Sequence, residues 1–286
     1  MTGALQPVTL AEALELRATS PEAVPLAGGT DLMVDVNLGR RRPSAVLDLS
    51  RVRELRDWHV GDDTVFVGAG VTFARIAHEL TAMRPLAEAA RSVGSPQIRN
   101  RATIGGNVAT ASPAGDSIPV LAAYDAEIVL ASATHRRRVP WHAFFLGPKR
   151  TALEADELVV GVEWPAVDGP GAFAKVGPRN AMVIAVAGLC LQLHPQRRSV
   201  RLALGSVAPT VIRARDAEAL AASAIDWSDP ESPLPPVIGR ECGRLASLGA
   251  QPIDDVRGTA AYRRHAVEVL ARRMLEWTLA GRTLAA

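Results

Sequence analysis

The 286-residue sequence predicts an α+β fold with a two-part N-terminal domain and a smaller C-terminal α+β domain. Three observations carry this reading. Apolar stretches at 24–27 and 45–49 flank a helical stretch at 31–38, which makes a compact strand–helix–strand unit. Two longer apolar stretches, 181–193 and 199–206, flank the turn His194-Pro195-Gln196-Arg197-Arg198. Residues 260–279 repeat apolar side chains, among them Val267, Leu270, Met274 and Leu275, at helical spacing.

The elements follow in chain order. Thr9 with Glu12 forms a capping box that opens a helix to about Arg17. The strand at 24–27 delivers Gly28-Gly29 at its end, and the helix after it starts facing that loop. Residues 65–67 are a strand, 73–80 and 85–93 are helices, and 117–124 is a helix leading to a strand at 127–131. A short helical segment covers 141–145, and a strand covers 158–164 before Pro165. Gly169-Pro170-Gly171 marks a boundary. The expected domains are 1–170, with subdomains of about 1–56 and 57–170, and 171–286. Beyond the boundary, 213–223 is a helix and 225–236, rich in Pro, Ser and Asp, is a loop.

Two Gly-Gly pairs stand out. The first lies in Leu26-Ala27-Gly28-Gly29-Thr30-Asp31-Leu32. The second lies in Arg99-Asn100-Arg101-Ala102-Thr103-Ile104-Gly105-Gly106-Asn107, followed by the turn Ser112-Pro113-Ala114-Gly115-Asp116. Successive N–H groups in a glycine turn form a concave donor nest for an anion, and two such nests suit the two phosphates of a dinucleotide. The rival reading is a pair of tight turns. Thr30, Thr103 and Asn107 can donate to phosphate or ring oxygens, or else cap and close turns. Asp116, acceptor-only when ionised, suits ribose, ribityl or ring-edge donors, or else caps the helix that follows it. Neither loop is a G-x-G-x-x-G or a P-loop; Gly68-Ala69-Gly70 lacks the third glycine.

With Gln97-Ile98-Arg99-Asn100 leading into the second pair, these loops resemble the FAD-binding medium subunits of the molybdenum hydroxylases, the xanthine dehydrogenase family. The resemblance extends to Lys175-Val176-Gly177-Pro178-Arg179-Asn180-Ala181-Met182 and Pro252-Ile253-Asp254-Asp255-Val256-Arg257-Gly258-Thr259. It implies a two-subdomain FAD-binding domain of the vanillyl-alcohol-oxidase (PCMH) type and non-covalent FAD. By the same match Leu26, Ala27, Asp31, Leu32 and Val159 line the flavin, Asp116 touches it, Lys175 lies near it, and Val93 and Gly94 add a further pair of contacts. The molybdenum cofactor and a 2Fe–2S centre are then expected only in partner subunits, with NAD or another molecule as acceptor. Carbon monoxide dehydrogenase medium subunits typically read Ala-Gly-Gly-His-Ser at the first loop. Ala27-Gly28-Gly29-Thr30-Asp31 departs from that and favours the xanthine dehydrogenase-like branch. The extra cysteines of the benzoyl-CoA reductase-type relatives are absent.

Composition bounds the alternatives. A net charge of +2 does not argue for nucleic acid or membrane attraction, and 4% aromatics provides no stacking platform for single strands. The basic clusters Arg40-Arg41-Arg42 and His135-Arg136-Arg137-Arg138 read as solvated loops or a partner-facing rim. Cys190 and Cys242 cannot hold an iron–sulfur cluster by themselves, since that takes four ligands. None of the six histidines forms a metal-spaced pair on one segment, and Asp254 and Asp255 read as loop or capping carboxylates. Residues 1–7 lack a secretory signal and no stretch spans a bilayer, so the expectation is a cytoplasmic protein. The rival functions are a self-contained flavin oxidase of the same fold, a medium subunit for carbon monoxide or an aldehyde, and a non-enzymatic nucleotide-binding module.

Overall fold

A computed structural model describes residues 3–230 and 232–281. Its elements in chain order are β1 (Gly3–Leu5), α1 (Leu10–Thr19), β2 (Val24–Leu26), α2 (Leu32–Asn37), β3 (Ala45–Asp48), β4 (Trp58–Val60), β5 (Thr64–Gly68), α3 (Phe73–Glu79), α4 (Arg84–Ser92), α5 (Pro96–Arg101), α6 (Ile104–Thr110) and α7 (Ser117–Ala123). After these come β6 (Glu127–Ala131), β7 (Arg136–Pro140), α8 (Trp141–Phe144), β8 (Phe145–Gly147), β9 (Arg150–Thr151) and β10 (Leu158–Pro165). The chain ends with β11 (Gly171–Val176), β12 (Ala187–His194), β13 (Ser199–Gly205), β14 (Ile212–Arg213), α9 (Arg215–Ala224), α10 (Pro236–Gly249) and α11 (Ala260–Leu279).

Two compact units form, and they do not follow the chain linearly. The first contains residues 1–76, 95–111 and 125–166; the second contains 77–94, 112–124 and 167–286. In the first unit β1, β3 and β2 make a small parallel sheet in the order β1-β3-β2. A five-stranded antiparallel sheet runs β4-β5-β10-β6-β7. Its central strand β10 is buried over Leu158–Val162 and reads as the continuous apolar run expected of a strand covered on both faces. A register shift between Val159 and Gly161 bends it. Gly161 lies so close to the Phe66 ring that a side chain has no room there.

In the second unit β11-β12-β13-β14 form an antiparallel sheet, and all eight residues of β12 are buried. Its apolar side chains share a core with Ala217, Ala221, Cys242, Val267, Met274 and Leu275 of α9, α10 and α11. The helix α7 is buried at every position, as an apolar sequence without a polar face requires. The Glu88 carboxylate of α4 accepts from the Phe173 amide at 2.8 Å and so satisfies a donor on the edge strand β11.

The structure corrects several expectations. The strand expected at 181–193 begins only at Ala187, because its partner β11 ends at Val176, which pairs with Ala187. Residues before that point have no ladder to join. Arg179 instead donates to the carbonyls of Ala181 and Met182, and Met182 takes a left-handed φ of 52°. The strand β11 itself was hidden behind the Gly-Pro-Gly boundary. The helix α10 went unread because Pro236, Gly239, Gly243 and Gly249 break its apolar pattern. Two of those glycines have a packing role: a side chain on Gly243 would run into the Glu268 carbonyl of α11, and one on Gly239 would meet Glu276. Arg136-Arg137-Arg138 is not a loop but lies in strand β7, where Arg137 and Arg138 pair with Glu157 and Glu163. Glu231, within the loop expected at 225–236, lies outside the described residues.

Candidate functional site

The first Gly-Gly pair forms the expected turn. The backbone leaves β2 at Leu26, passes through half-buried Ala27, Gly28, Gly29 and Thr30, and enters α2 after Asp31. Gly29 has a φ of 75°, the left-handed region that glycine reaches without steric cost. The amides of Gly28, Gly29 and Thr30 donate to no protein group among the described residues. Three successive open N–H groups around a left-handed residue make a donor nest suited to a phosphate oxygen. Asp31 is exposed and lies 3.9 Å from Lys149.

The second pair is built differently. Gly105 and Gly106 sit in the first turn of α6, and their amides are already used. Ile104 donates to the Val71 carbonyl, Gly105 to the Ala69 carbonyl at 2.9 Å, and Gly106 to the Thr103 hydroxyl at 3.0 Å. The second donor nest expected from the sequence is therefore not formed. Gly105 is glycine because a Cβ would overlap Ala69, while a Cβ on Gly106 would meet only Thr103 Oγ1, at 3.1 Å. Thr103 is the N-cap, as its alternative reading held, and Asn107 follows on α6. A side chain on Gly28 would collide with the Arg101 carbonyl, so the first loop lies directly against the segment that leads into α6. Val159 is on β10, whose neighbour Val160 accepts from the Ala69 amide at 2.8 Å. All of these residues belong to the first unit.

Val93, Gly94, Asp116 and Lys175 belong to the second unit. Val93 is the C-cap of α4, and Gly94 follows with a φ of 45°. Asp116 stands before α7 but does not cap it through its side chain. Its carboxylate instead takes the Ser92 hydroxyl at 3.1 Å and the Lys175 ammonium at 2.6 Å. Burial raises the Asp116 pKa, while Lys175 and Ser92 oppose that shift. Lys175 also donates to the carbonyls of Ser92 and Val183. Ser92 was not singled out from the sequence, and no motif there marks it. Asp116 borders a shallow, open depression with Pro113, Gly115, Phe173 and Gly188, which encloses no cavity of ligand size.

A further cluster was not foreseen. His135, Glu154 and Glu157 bring ligand atoms within 4.8 Å of one another. Both Glu157 oxygens are taken by Arg137, at 2.6 and 2.8 Å, so a guanidinium already supplies the positive charge there.

Residues 1–167 match the family profile described as the FAD binding domain in molybdopterin dehydrogenase. Residues 172–278 match the carbon monoxide dehydrogenase flavoprotein C-terminal domain. The chain belongs to this family of flavin subunits. It is 30% identical to the xanthine dehydrogenase FAD-binding subunit of Escherichia coli O157:H7, covering 95% of this chain and 94% of that one. It is 38% identical to the nicotinate dehydrogenase FAD-subunit of Eubacterium barkeri over 192 residues, which covers 64% of this chain and 65% of that protein, just under two thirds of its length. The structure resembles that of carbon monoxide dehydrogenase from Hydrogenophaga pseudoflava, with a TM-score of 0.85, 29% identity and 98% of each chain covered. Quinoline 2-oxidoreductase from Pseudomonas putida 86 gives a TM-score of 0.87 at 25% identity, again over 98% of each chain. The chain is thus a flavin subunit of a multi-subunit oxidoreductase, with an FAD-binding domain followed by a flavoprotein C-terminal domain. Among the described residues no helix is long and apolar enough to cross a membrane.

Proposed function

We propose that this chain is the FAD-binding electron-transfer subunit of a cytoplasmic molybdenum hydroxylase. It would take electrons from a 2Fe–2S partner subunit and pass them to NAD or another acceptor, while substrate is hydroxylated at molybdenum in a large subunit. The observation that carries the reading is the open Gly28–Thr30 donor nest, on a domain that matches the FAD-binding family.

When bound, the isoalloxazine supplies the redox chemistry, accepting and releasing electrons. The residues of this chain hold and orient it. Gly28, Gly29 and Thr30 present amides to a phosphate. Gly106 keeps its side of α6 clear for close approach, and the Thr103 hydroxyl retains a proton to donate after accepting from Gly106. In the second unit Asp116 offers an acceptor to a ribityl or ring-edge donor, held in place by Ser92 and Lys175. Leu26, Ala27, Asp31, Leu32, Asn107, Val93, Gly94 and Val159 complete the proposed contacts. Neither loop offers His or Cys, so attachment is non-covalent.

The substrate stays at the level of the family. The Thr30-Asp31 reading of the first loop favours a xanthine-type complex. The similarity to flavin subunits named for xanthine and nicotinate, and to a carbon monoxide dehydrogenase, supports a medium subunit for another substrate about equally. The test is spectroscopic. The purified chain should be yellow and release FAD on denaturation. Xanthine or aldehydes should leave its flavin oxidised under anaerobic conditions unless the partner subunits are added. Rapid bleaching of the isolated chain by a substrate would favour a self-contained oxidase.

A further inference from the structure

Near the start of α11 the Arg263 guanidinium is buried, with 4% of the residue exposed. A buried arginine costs free energy unless its donors and its charge are met. Three separate segments of the second unit meet them. One terminal nitrogen, Nη1, donates to the Val186 carbonyl at 2.8 Å and to the Ser206 carbonyl at 2.7 Å. The other, Nη2, donates to the Asp255 carboxylate at 2.7 Å, which supplies the counter-charge. Asp255 is fixed in turn by the Arg257 amide at 2.8 Å. Its loop is anchored at the start, where the Gln251 amide donates to the Val207 carbonyl at 2.7 Å.

The two carbonyls belong to the two supports of the Asp116–Lys175 pair. Val186 closes the loop between β11 and β12, and its amide donates to the Val176 carbonyl at 2.7 Å. Within that loop the Val183 carbonyl accepts from the Lys175 ammonium. Ser206 follows β13, and its amide donates to the Pro113 carbonyl at 2.8 Å, in the turn that ends at Asp116. Ser206 holds a φ of 64°, a left-handed conformation that favours glycine and persists where the surroundings over-determine it. Pro113 on its amide and Arg263 on its carbonyl do so here.

We propose that Arg263, with Asp255 as its counter-charge, is a positioning residue of the flavin site: it holds the Pro113–Asp116 turn and the Lys175 loop so that the Asp116 carboxylate meets the flavin. The inference rests on the function proposed above. Arg263 donates to neither Asp116 nor Lys175, so it acts through the main chain. A guanidinium suits this task because its planar fork fixes several acceptors at once, which an ammonium on a flexible stem does not.

The test uses the full chain, freed of flavin and titrated with FAD. Arg263→Met should weaken FAD binding about tenfold, within the coupling found among residues of one hydrogen-bond network. It should also move the visible band of the bound flavin toward that of Asp116→Asn. Arg263→Lys, which keeps the charge but not the fork, should recover part of the affinity. The double variant Arg263→Met with Asp116→Asn should bind FAD no more weakly than Asp116→Asn alone, because Arg263 acts through that carboxylate. Additive losses would overturn the proposal and leave the proposed function intact. Met274→Ala, a fully buried change in the same helix, controls for lost stability. An equal loss of FAD affinity and an equal band shift in that control, at matched melting temperature, would also overturn the proposal. If Arg263→Met does not fold, Asp255→Asn takes its place, since it removes only the counter-charge, from a loop residue. It should weaken FAD binding with the same non-additivity, and wild-type affinity and spectrum there would overturn the proposal. Wild-type FAD affinity and spectrum in Asp116→Asn would instead remove Asp116 from the proposed flavin contacts, and the role of Arg263 would fall with it.

Discussion

The Lys175 ammonium lies 2.6 Å from the Asp116 carboxylate, and both side chains are about nine-tenths buried. Lysine has three donors, and Lys175 uses them on Asp116, Ser92 and Val183. Lys175 therefore balances the charge of Asp116 and fixes its carboxylate, and under the proposed function it would act on the flavin only through Asp116. Removing it leaves a buried carboxylate with only the Ser92 hydroxyl. Lys175→Met should cost about 3–5 kcal/mol in denaturant unfolding, the range for breaking one partner of a buried pair. Adding Asp116→Asn to that variant should recover a large part of the loss. An additive double variant would show that the two groups do not depend on each other.

The glycines of α6 separate packing from binding. Gly105→Ala drives a methyl into Ala69 and should cost about 1–3 kcal/mol, as overpacking does. Gly106→Ala meets only the Thr103 hydroxyl, so the fold should persist, with a helix-propensity gain of up to about 1 kcal/mol. Its FAD content should nevertheless fall, because the methyl occupies the surface where the cofactor is proposed to approach. Thermal melts and flavin release on the two variants check both halves. Full flavin content in Gly106→Ala would make Gly106 an ordinary helix residue.

Acid should reveal the β7–β10 cluster. Arg137, bonded to both oxygens, holds the Glu157 pKa down from 4.5 to about 2, with the Glu154 amide and His135 helping. The folded pKa is depressed, so this stabilisation is present above pH 4.5 and is lost as pH falls towards 2. The side chain is fully buried, and the difference is worth about 3 kcal/mol. Glu157→Gln should lose stability at neutral pH and show a flatter acid limb in unfolding against pH. An identical acid limb in wild type and variant would mean that other carboxylates dominate.

Much of the fold was legible because its signals are local. The strand β2, the turn at Gly28-Gly29 and the helix α2 follow from an apolar run, two glycines and helical spacing in adjacent residues. Long-range terms were not legible. Nothing in Pro236–Gly249 says that its glycines exist to let α11 approach, and nothing in residues 181–186 says that β11 has already ended. The site behaves in the same way. Both Gly-Gly pairs look alike in sequence, yet in the second the Ala69 carbonyl, more than thirty residues upstream, takes the Gly105 amide, and the capping Thr103 hydroxyl takes that of Gly106. Ser92 joined Asp116 and Lys175 only through folding.

The last prediction concerns the nest on Gly28, Gly29 and Thr30. Three open amides recognise a phosphate oxygen and gain nothing from a flavin ring alone. FAD should therefore raise the melting temperature of the flavin-free chain well beyond any rise given by riboflavin, which keeps the ribityl and ring contacts but lacks phosphate. At a free FAD concentration 100 times Kd the stabilisation is about 2.7 kcal/mol. Gly29→Ala forces an alanine to a φ of 75° and brings its methyl within 3.3 Å of Leu26. It should cost the flavin-free chain about 1–2 kcal/mol through left-handed strain, and it should shrink the FAD-induced shift as the amides turn away. The strain and the lost binding separate experimentally, because the first appears without ligand and the second only as the difference between loaded and unloaded melts. Equal stabilisation by riboflavin and FAD, or an undiminished FAD shift in Gly29→Ala, would place the phosphate elsewhere and leave the first Gly-Gly pair as a tight turn that seats Gly28 against Arg101.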